Sequence, residues 1–133
     1  MTWWHGSPTG GLETLEPRLD SRTGHTGVFV ASDPFQPVVF SLLANRAESN
    51  VDIFEQGTAI WAFFSTQHPI LDRGWVYRVE PEASAVVEWK PGRYYIDGPA
   101  RVVESREWVR EDLLFVAEPD EDGWTHAFLR IPV

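Results

Sequence analysis

The sequence predicts an α+β domain in which strands dominate and one helix lies early in the chain. Short apolar runs rich in β-branched and aromatic residues recur between clusters of Gly, Pro and Asp, which is typical of strands joined by tight turns. One segment carries the signals of a helix start, and it follows the second apolar run. With 133 residues the chain has the length of one domain, so we expect residues 1–133 to form a single domain.

The N-terminal part predicts a strand, a turn, a long loop and a second strand. Residues 3–5 form a short opening strand, and residues 6–11 are too rich in Gly and Pro for anything but a turn. A polar loop is expected to continue to about residue 26. Residues 27–31 form a short apolar run bounded by turn residues, which predicts a buried strand.

The helix is predicted at residues 34–45. Asp33 is a favoured N-cap residue, and the fixed φ of Pro34 suits the first helical position. A stripe that includes Val38 and Leu42 is expected to face the core.

The rest of the chain predicts further strands. Residues 50–55 are ambiguous, and residues 59–64 form a uniformly apolar run that favours a strand over a buried helical turn. The remaining strands are predicted at residues 75–80, 85–89, 93–96, 100–104, 113–117 and 126–131.

The composition restricts the classes of partner. Eleven Lys and Arg against twenty Asp and Glu leave a formal charge of −9, which disfavours general nucleic-acid binding and anionic membranes but leaves room for a local basic pocket. The chain has no Cys, so nothing in it conflicts with a reducing compartment. Neither a secretory leader nor an apolar run of about 18 residues is present, so we expect a soluble, cytoplasmic protein without membrane contact.

Several common catalytic motifs are absent. The four His residues lack the spacing of metal ligands, and neither a Gly-x-Ser-x-Gly motif nor a phosphate-binding glycine loop occurs. The sequence therefore does not predict a metal site, a serine hydrolase or a conventional dinucleotide fold.

Three features in a fixed order carry the candidate chemistry. A His-Gly-Ser turn lies at residues 5–7, the strand at residues 27–31 leads into a helix that bears Phe40, and Glu107 precedes Trp-Val late in the chain. In this order the sequence resembles the ADP-ribosyltransferase-like superfamily, in the His-Gly-Ser/Thr branch that includes the poly-ADP-ribose polymerases and diphtheria-type toxins. The resemblance implies the split-sheet fold of that superfamily and NAD as the substrate.

The resemblance also implies roles for the residues of a nicotinamide cleft. The backbone of Gly6 would approach the nicotinamide amide because no Cβ intervenes, His5 would donate to a ribose hydroxyl, and Ser7 would add a further hydrogen bond. The ring of Phe40 would stack on nicotinamide, with Phe29 packed nearby.

Glu107 would take the catalytic position, with His5 as the second catalytic residue. A carboxylate there would stabilise the positive charge that builds on the sugar as the nicotinamide bond breaks. Glu104 and Glu111 compete for this role, and Glu107 is preferred because the following Trp-Val matches the pattern of the family. Arg18 would supply a positive charge for the pyrophosphate.

A second arginine, Arg22, is expected to share the pyrophosphate with Arg18. Two departures from the family pattern lie on the helix: Phe40 replaces the usual Tyr, and Pro37 stands where a Ser often contacts the nicotinamide amide. These departures leave open a catalytically inactive module of the same fold that binds a nucleotide or a protein.

The predicted function is therefore NAD-dependent ADP-ribosyl transfer or NAD hydrolysis, with an acceptor that the sequence does not name, proteins included. The inactive module is one alternative. A second is an interaction module of a phage, a mobile element or a toxin–antitoxin system, whose partner is an antitoxin or another protein. A third, RNA 2′-phosphate transfer, would need a basic phosphate site, and a cluster of Arg18, Arg22 and Arg46 beside His5 would favour it.

Overall fold

Three antiparallel sheets and one short helix make up the described part of the chain. The computed structural model describes residues 1–132. The strands are β1 Trp3–Ser7, β2 Thr14–Leu15, β3 Arg18–Leu19, β4 Thr26–Val30, β5 Asn50–Gln56, β6 Ala59–Thr66, β7 Arg73–Pro81, β8 Val86–Lys90, β9 Arg93–Ile96, β10 Ala100–Val109, β11 Leu114–Pro119 and β12 Thr125–Pro132. Helix α1 spans Gln36–Ser41, and two 3-10 turns span Arg46–Glu48 and Arg110–Asp112. The expected strand-rich domain with one early helix is thus confirmed across these residues.

The first sheet lies between the two hydrophobic cores. Its strand order is β1-β7-β10-β2, that of the second sheet is β11-β12-β6-β5, and that of the third is β3-β4-β9-β8. Successive side chains of a strand point to opposite faces, and β7 is buried on both. Val76 joins the core formed with α1 and the second sheet, whereas Tyr77 and Val79 join the core formed with the third sheet.

Helix α1 lies against the first sheet at two glycines. A Cβ on Gly6 would lie 2.0 Å from the carbonyl oxygen of Pro37, and one on Gly74 would lie 2.5 Å from the carbonyl oxygen of Ser41. The absence of these side chains allows the backbone of α1 to approach β1 and β7. Val38 of α1 is completely buried and belongs to the core beside the first sheet.

Helix α1 is shorter than the predicted helix at both ends. The side chain of Asp33 accepts hydrogen bonds from the backbone N–H groups of Phe35 and Gln36, at 2.9 Å each. The helix therefore starts at Gln36. It ends at Ser41, and Leu43 then forms an isolated bridge with Ile70. This long-range pairing takes the following backbone out of the helix.

Several strand predictions are also corrected. The short strands β2 and β3 lie where a polar loop was expected, and the ambiguous residues 50–55 belong to β5. Strand β10 extends to Val109, because it pairs with β7 along its whole length with one irregularity between Val102 and Glu104. Glu104 and Glu107 consequently lie on the same strand.

The outer face of the second sheet is open to solvent. Phe54, Phe63, Leu114 and Val116 lie there and are exposed, while the opposite face of the sheet enters the core. Within residues 1–132, no helix is both long enough and apolar enough to cross a membrane.

Candidate functional site

Strands β1 and β4 are joined at one point and then separate. Trp4 and Ala31 exchange backbone hydrogen bonds of 2.9 and 2.8 Å, and β4 pairs with β9 rather than continuing along β1. The side chain of His5 spans the gap, with its Nδ1 2.6 Å from the carbonyl oxygen of Phe29. A cleft opens where the two strands part.

The cleft consists of two neighbouring cavities. The helix-side cavity, about 500 Å³, is walled by α1 and the β8–β9 hairpin, and the turn-side cavity, about 390 Å³, is walled by residues 5–9 and the loop after them. The cavities share Gly6, Asp20, Phe29 and Arg46 in their walls. Volumes of this size suit small-molecule ligands.

His5 is neutral and has an unprotonated ring nitrogen. A carbonyl oxygen only accepts hydrogen bonds, so Nδ1 carries the proton that is donated to Phe29. Burial lowers the pKa of His5 to about 4; the bond to the carbonyl opposes this shift, and the positive charges of Arg46 and Arg18 add to it. At neutral pH the Nε2 atom is therefore an acceptor. The expectation that His5 donates to a ribose hydroxyl is corrected: its ring would accept that hydrogen bond.

The glycine of the motif is required for a different reason than expected. The space that a Cβ of Gly6 would fill is taken by the backbone of Pro37, so the glycine accommodates the helix. Alternate residues of a strand direct their N–H and C=O groups to the same side. The N–H and C=O groups of Trp4 point to Ala31. The N–H and C=O groups of Gly6 therefore point to the same side of β1, where β4 has separated from it. The backbone of Gly6 is thus positioned to bind an amide.

Ser7 is the buried last residue of β1, so the turn predicted at residues 6–11 begins only after it. Its Oγ accepts the N–H of Thr9 at 3.1 Å, which closes a local turn and leaves the hydroxyl proton free to be donated. Ser7 lines the turn-side cavity together with His5 and Arg18.

The two predicted aromatic residues face a guanidinium. Phe40 lines the helix-side cavity and Phe29 lines both cavities. The guanidinium carbon of Arg46 lies 4.5 Å from the centre of the Phe40 ring and 5.7 Å from that of Phe29. A cation therefore covers the ring on which nicotinamide was expected to stack.

The cleft is basic although the chain is acidic. Its walls contain five cationic side chains and two carboxylates: Arg18, Arg22, Arg46, Lys90 and Arg93 against Glu16 and Asp20. This ratio reverses the balance of the whole chain, in which acidic residues outnumber basic ones by twenty to eleven. The net charge of −9 therefore does not describe the site, which favours an anionic ligand.

Glu107 lies outside both cavities of the cleft. Glu107 pairs with Trp75 of β7, which in turn pairs with Ser7 of β1. Since neighbouring strands lie about 5 Å apart, Glu107 is about 10 Å from Ser7. Its carboxylate forms an ion pair of 2.8 Å with Arg73 and is exposed. The catalytic role of Glu107 remains a prediction that this arrangement does not support.

The two competing carboxylates are not in the cleft either. Glu104 forms an ion pair of 3.2 Å with Arg78, and Glu111 lines a separate cavity beside Arg110. The carboxylates that the cleft does contain, Asp20 and Glu16, were not singled out from the sequence.

The wall supplied by the β8–β9 hairpin was not predicted from the sequence. Trp89, Lys90, Arg93 and Tyr94 line the helix-side cavity, and the indole Nε1 of Trp89 is buried without a hydrogen-bond partner in the described residues. The sequence does show two cations flanking a Pro-Gly turn, which signals a basic hairpin tip. Its position beside α1 depends on the pairing of β4 with β9.

The side chains and backbone groups of the cleft can bind an anionic molecule that also carries a hydroxyl and an amide. The arginines attract the anion, the Nε2 atom of His5 accepts from the hydroxyl, and the backbone of Gly6 suits the amide. No protein-family model, curated protein or solved structure matches this chain.

Proposed function

We propose that the chain is a nucleotide-binding module with an ADP-ribosyltransferase-like fold, which binds NAD in the cleft and does not use Glu107 for turnover. The supporting observation is convergence: seven of the eight residues predicted for the site line this one cleft, namely His5, Gly6, Ser7, Arg18, Arg22, Phe29 and Phe40. They come from four separate stretches of the chain.

Three parts of NAD have a group in the cleft that suits them. The N–H and C=O of Gly6 would bind the carboxamide in the turn-side cavity, beside Phe29, and the Nε2 atom of His5 would accept from a ribose hydroxyl. Arg18 and Arg22 would bind the pyrophosphate. The parting of β1 and β4 after a single bridge supports the split-sheet fold in this proposal.

The placement of Glu107 favours binding over turnover. An acid that stabilises a developing positive charge on the sugar must lie next to the bond that breaks. Glu107 lies outside the cleft and is held by Arg73, so we assign it no part in binding.

Calorimetric titration with NAD tests the proposal. We expect measurable binding to the wild-type protein, about tenfold weaker binding to His5→Ala because one hydrogen bond is lost, and unchanged binding to Glu107→Gln. No binding at millimolar NAD would overturn the proposal.

The control for the histidine is His126→Ala, which removes an exposed ring outside the cleft and should leave NAD binding unchanged. Release of nicotinamide, followed in the same samples, separates binding from turnover. Release by the wild-type protein that disappears in Glu107→Gln would show a transferase or glycohydrolase that uses Glu107, contrary to this proposal.

A further inference from the structure

Arg46 lies where the two cavities of the cleft meet. It comes from the 3-10 turn that follows α1, and its guanidinium contacts the rings of Phe40 and Phe29. A guanidinium that stacks on an aromatic ring keeps the N–H groups around its edge available to other partners.

The guanidinium of Arg46 forms no ion pair within the described residues. No carboxylate of the described residues lies within ion-pair distance of it, whereas four other arginines each pair with an acidic side chain at 3.2 Å or less. Burial lowers the pKa of Arg46 to about 10, so the group stays charged at neutral pH; Asp20 opposes this shift, and Arg22 and Arg93 add to it. A partly buried charge without an ion-pair partner is unfavourable, and an entering anion offsets part of that cost.

We propose that Arg46 holds a phosphate group of the bound nucleotide above the ring of Phe40, where the nicotinamide ring was expected to stack. A guanidinium can donate two parallel hydrogen bonds to a phosphate. Arg22 and Arg93 lie in the walls of the same cavity and can complete the site. The ligand class is a phosphate-bearing nucleotide rather than a neutral nucleoside. This inference rests on the proposed function, since it concerns the same cleft.

The test compares two ligands that differ by one phosphate, AMP and adenosine, on the wild-type protein and on Arg46→Met. Methionine keeps apolar contact with the Phe40 ring and removes the charge. We expect the wild-type protein to bind AMP at least tenfold more tightly than adenosine, and Arg46→Met to lose most of this preference, with the remainder supplied by Arg22 and Arg93. Equal affinities in the wild-type protein, or an undiminished AMP preference in Arg46→Met, would overturn the proposal.

The matched control is Arg130→Met, because the guanidinium of Arg130 also lies over an aromatic ring, 5.6 Å from the centre of Trp61, but outside the cleft. It should keep the full preference for AMP. Arg46→Lys, which keeps the charge without the planar fork, should retain part of it.

Thermal unfolding separates a role in binding from a role in folding. We expect AMP to raise the unfolding temperature of the wild-type protein more than that of Arg46→Met, whose ligand-free form should be about as stable because a cation without an ion-pair partner is removed. If Arg46→Met does not fold, Arg93→Met on the exposed hairpin should still weaken AMP binding several-fold without affecting adenosine; no change there would overturn the proposal.

The proposed function and this inference fail in different ways. Arg46-dependent binding of AMP without any binding of NAD would overturn the NAD proposal and support the phosphate site. Suppose instead that the wild-type protein binds NAD, that Arg46→Met binds it equally well, and that the wild-type protein binds AMP and adenosine equally. That result would support the NAD proposal and overturn the phosphate site.

Discussion

Replacing Gly6 with alanine is expected to destabilise the protein by about 3 kcal/mol or more, the largest effect of a single methyl group that we predict. The new Cβ would lie 2.0 Å from the carbonyl oxygen of Pro37, which is backbone and cannot rotate away. Either α1 moves off β1 or the strand bends, and both open the cleft wall. The free energy of unfolding, measured by urea denaturation of Gly6→Ala, tests this.

Gly57→Ala is the matched control for the substitution of Gly6. Gly57 has a φ of +65° and nothing within 4 Å of the position of a Cβ, so alanine there meets only the backbone penalty, about 1 to 2 kcal/mol. A loss in Gly6→Ala no larger than in Gly57→Ala would contradict the close packing of α1 on β1.

The second large effect is a loss of stability in acid that comes from His5. The pKa of its imidazole is 6.5 in an unfolded chain and about 4 in the folded protein. Between these pH values the unfolded chain therefore binds more protons than the folded protein. The contribution of His5 is present above about pH 6.5 and is lost as the pH falls through 4. It amounts to at most about 3 kcal/mol, since His5 is partly buried rather than sealed off.

His5→Asn isolates this contribution. The asparagine amide can still donate to the carbonyl oxygen of Phe29, but it does not titrate. We expect the free energy of unfolding of the wild-type protein to fall more steeply than that of His5→Asn between pH 7 and pH 4. Parallel pH dependences would show that His5 is not held neutral by its surroundings.

The secondary structure was predicted well where the pattern is local. Residues 27–31 are a short apolar run and residues 93–96 contain two Tyr and an Ile, both between turn residues, and both correspond to strands of the third sheet. The helix was overestimated because its apolar stripe continues beyond Ser41, whereas pairing of Leu43 with Ile70 ends it. Such a contact joins residues far apart in the chain and leaves no local signal.

The candidate site was predicted in part for the same reason. The His-Gly-Ser turn, Phe29 and Phe40 follow each other within the first 40 residues, and the strands and helix that carry them pack together. The position of Glu107 depends on the order of strands in the first sheet, where β7 and Trp75 lie between Glu107 and the His-Gly-Ser motif of β1. Its distance from the cleft was not evident from the motif that follows it.

Local sequence signals predict that strands dominate and that one helix follows the strand at residues 27–31, and they indicate the His-Gly-Ser motif as a candidate site. These properties arise from local periodicity, turn residues and motif order. The positive charge of the cleft, the cation above Phe40 and the acceptor state of His5 arise only when the chain is folded. Each of these depends on which side chains meet across strands, and sheet order and register set that.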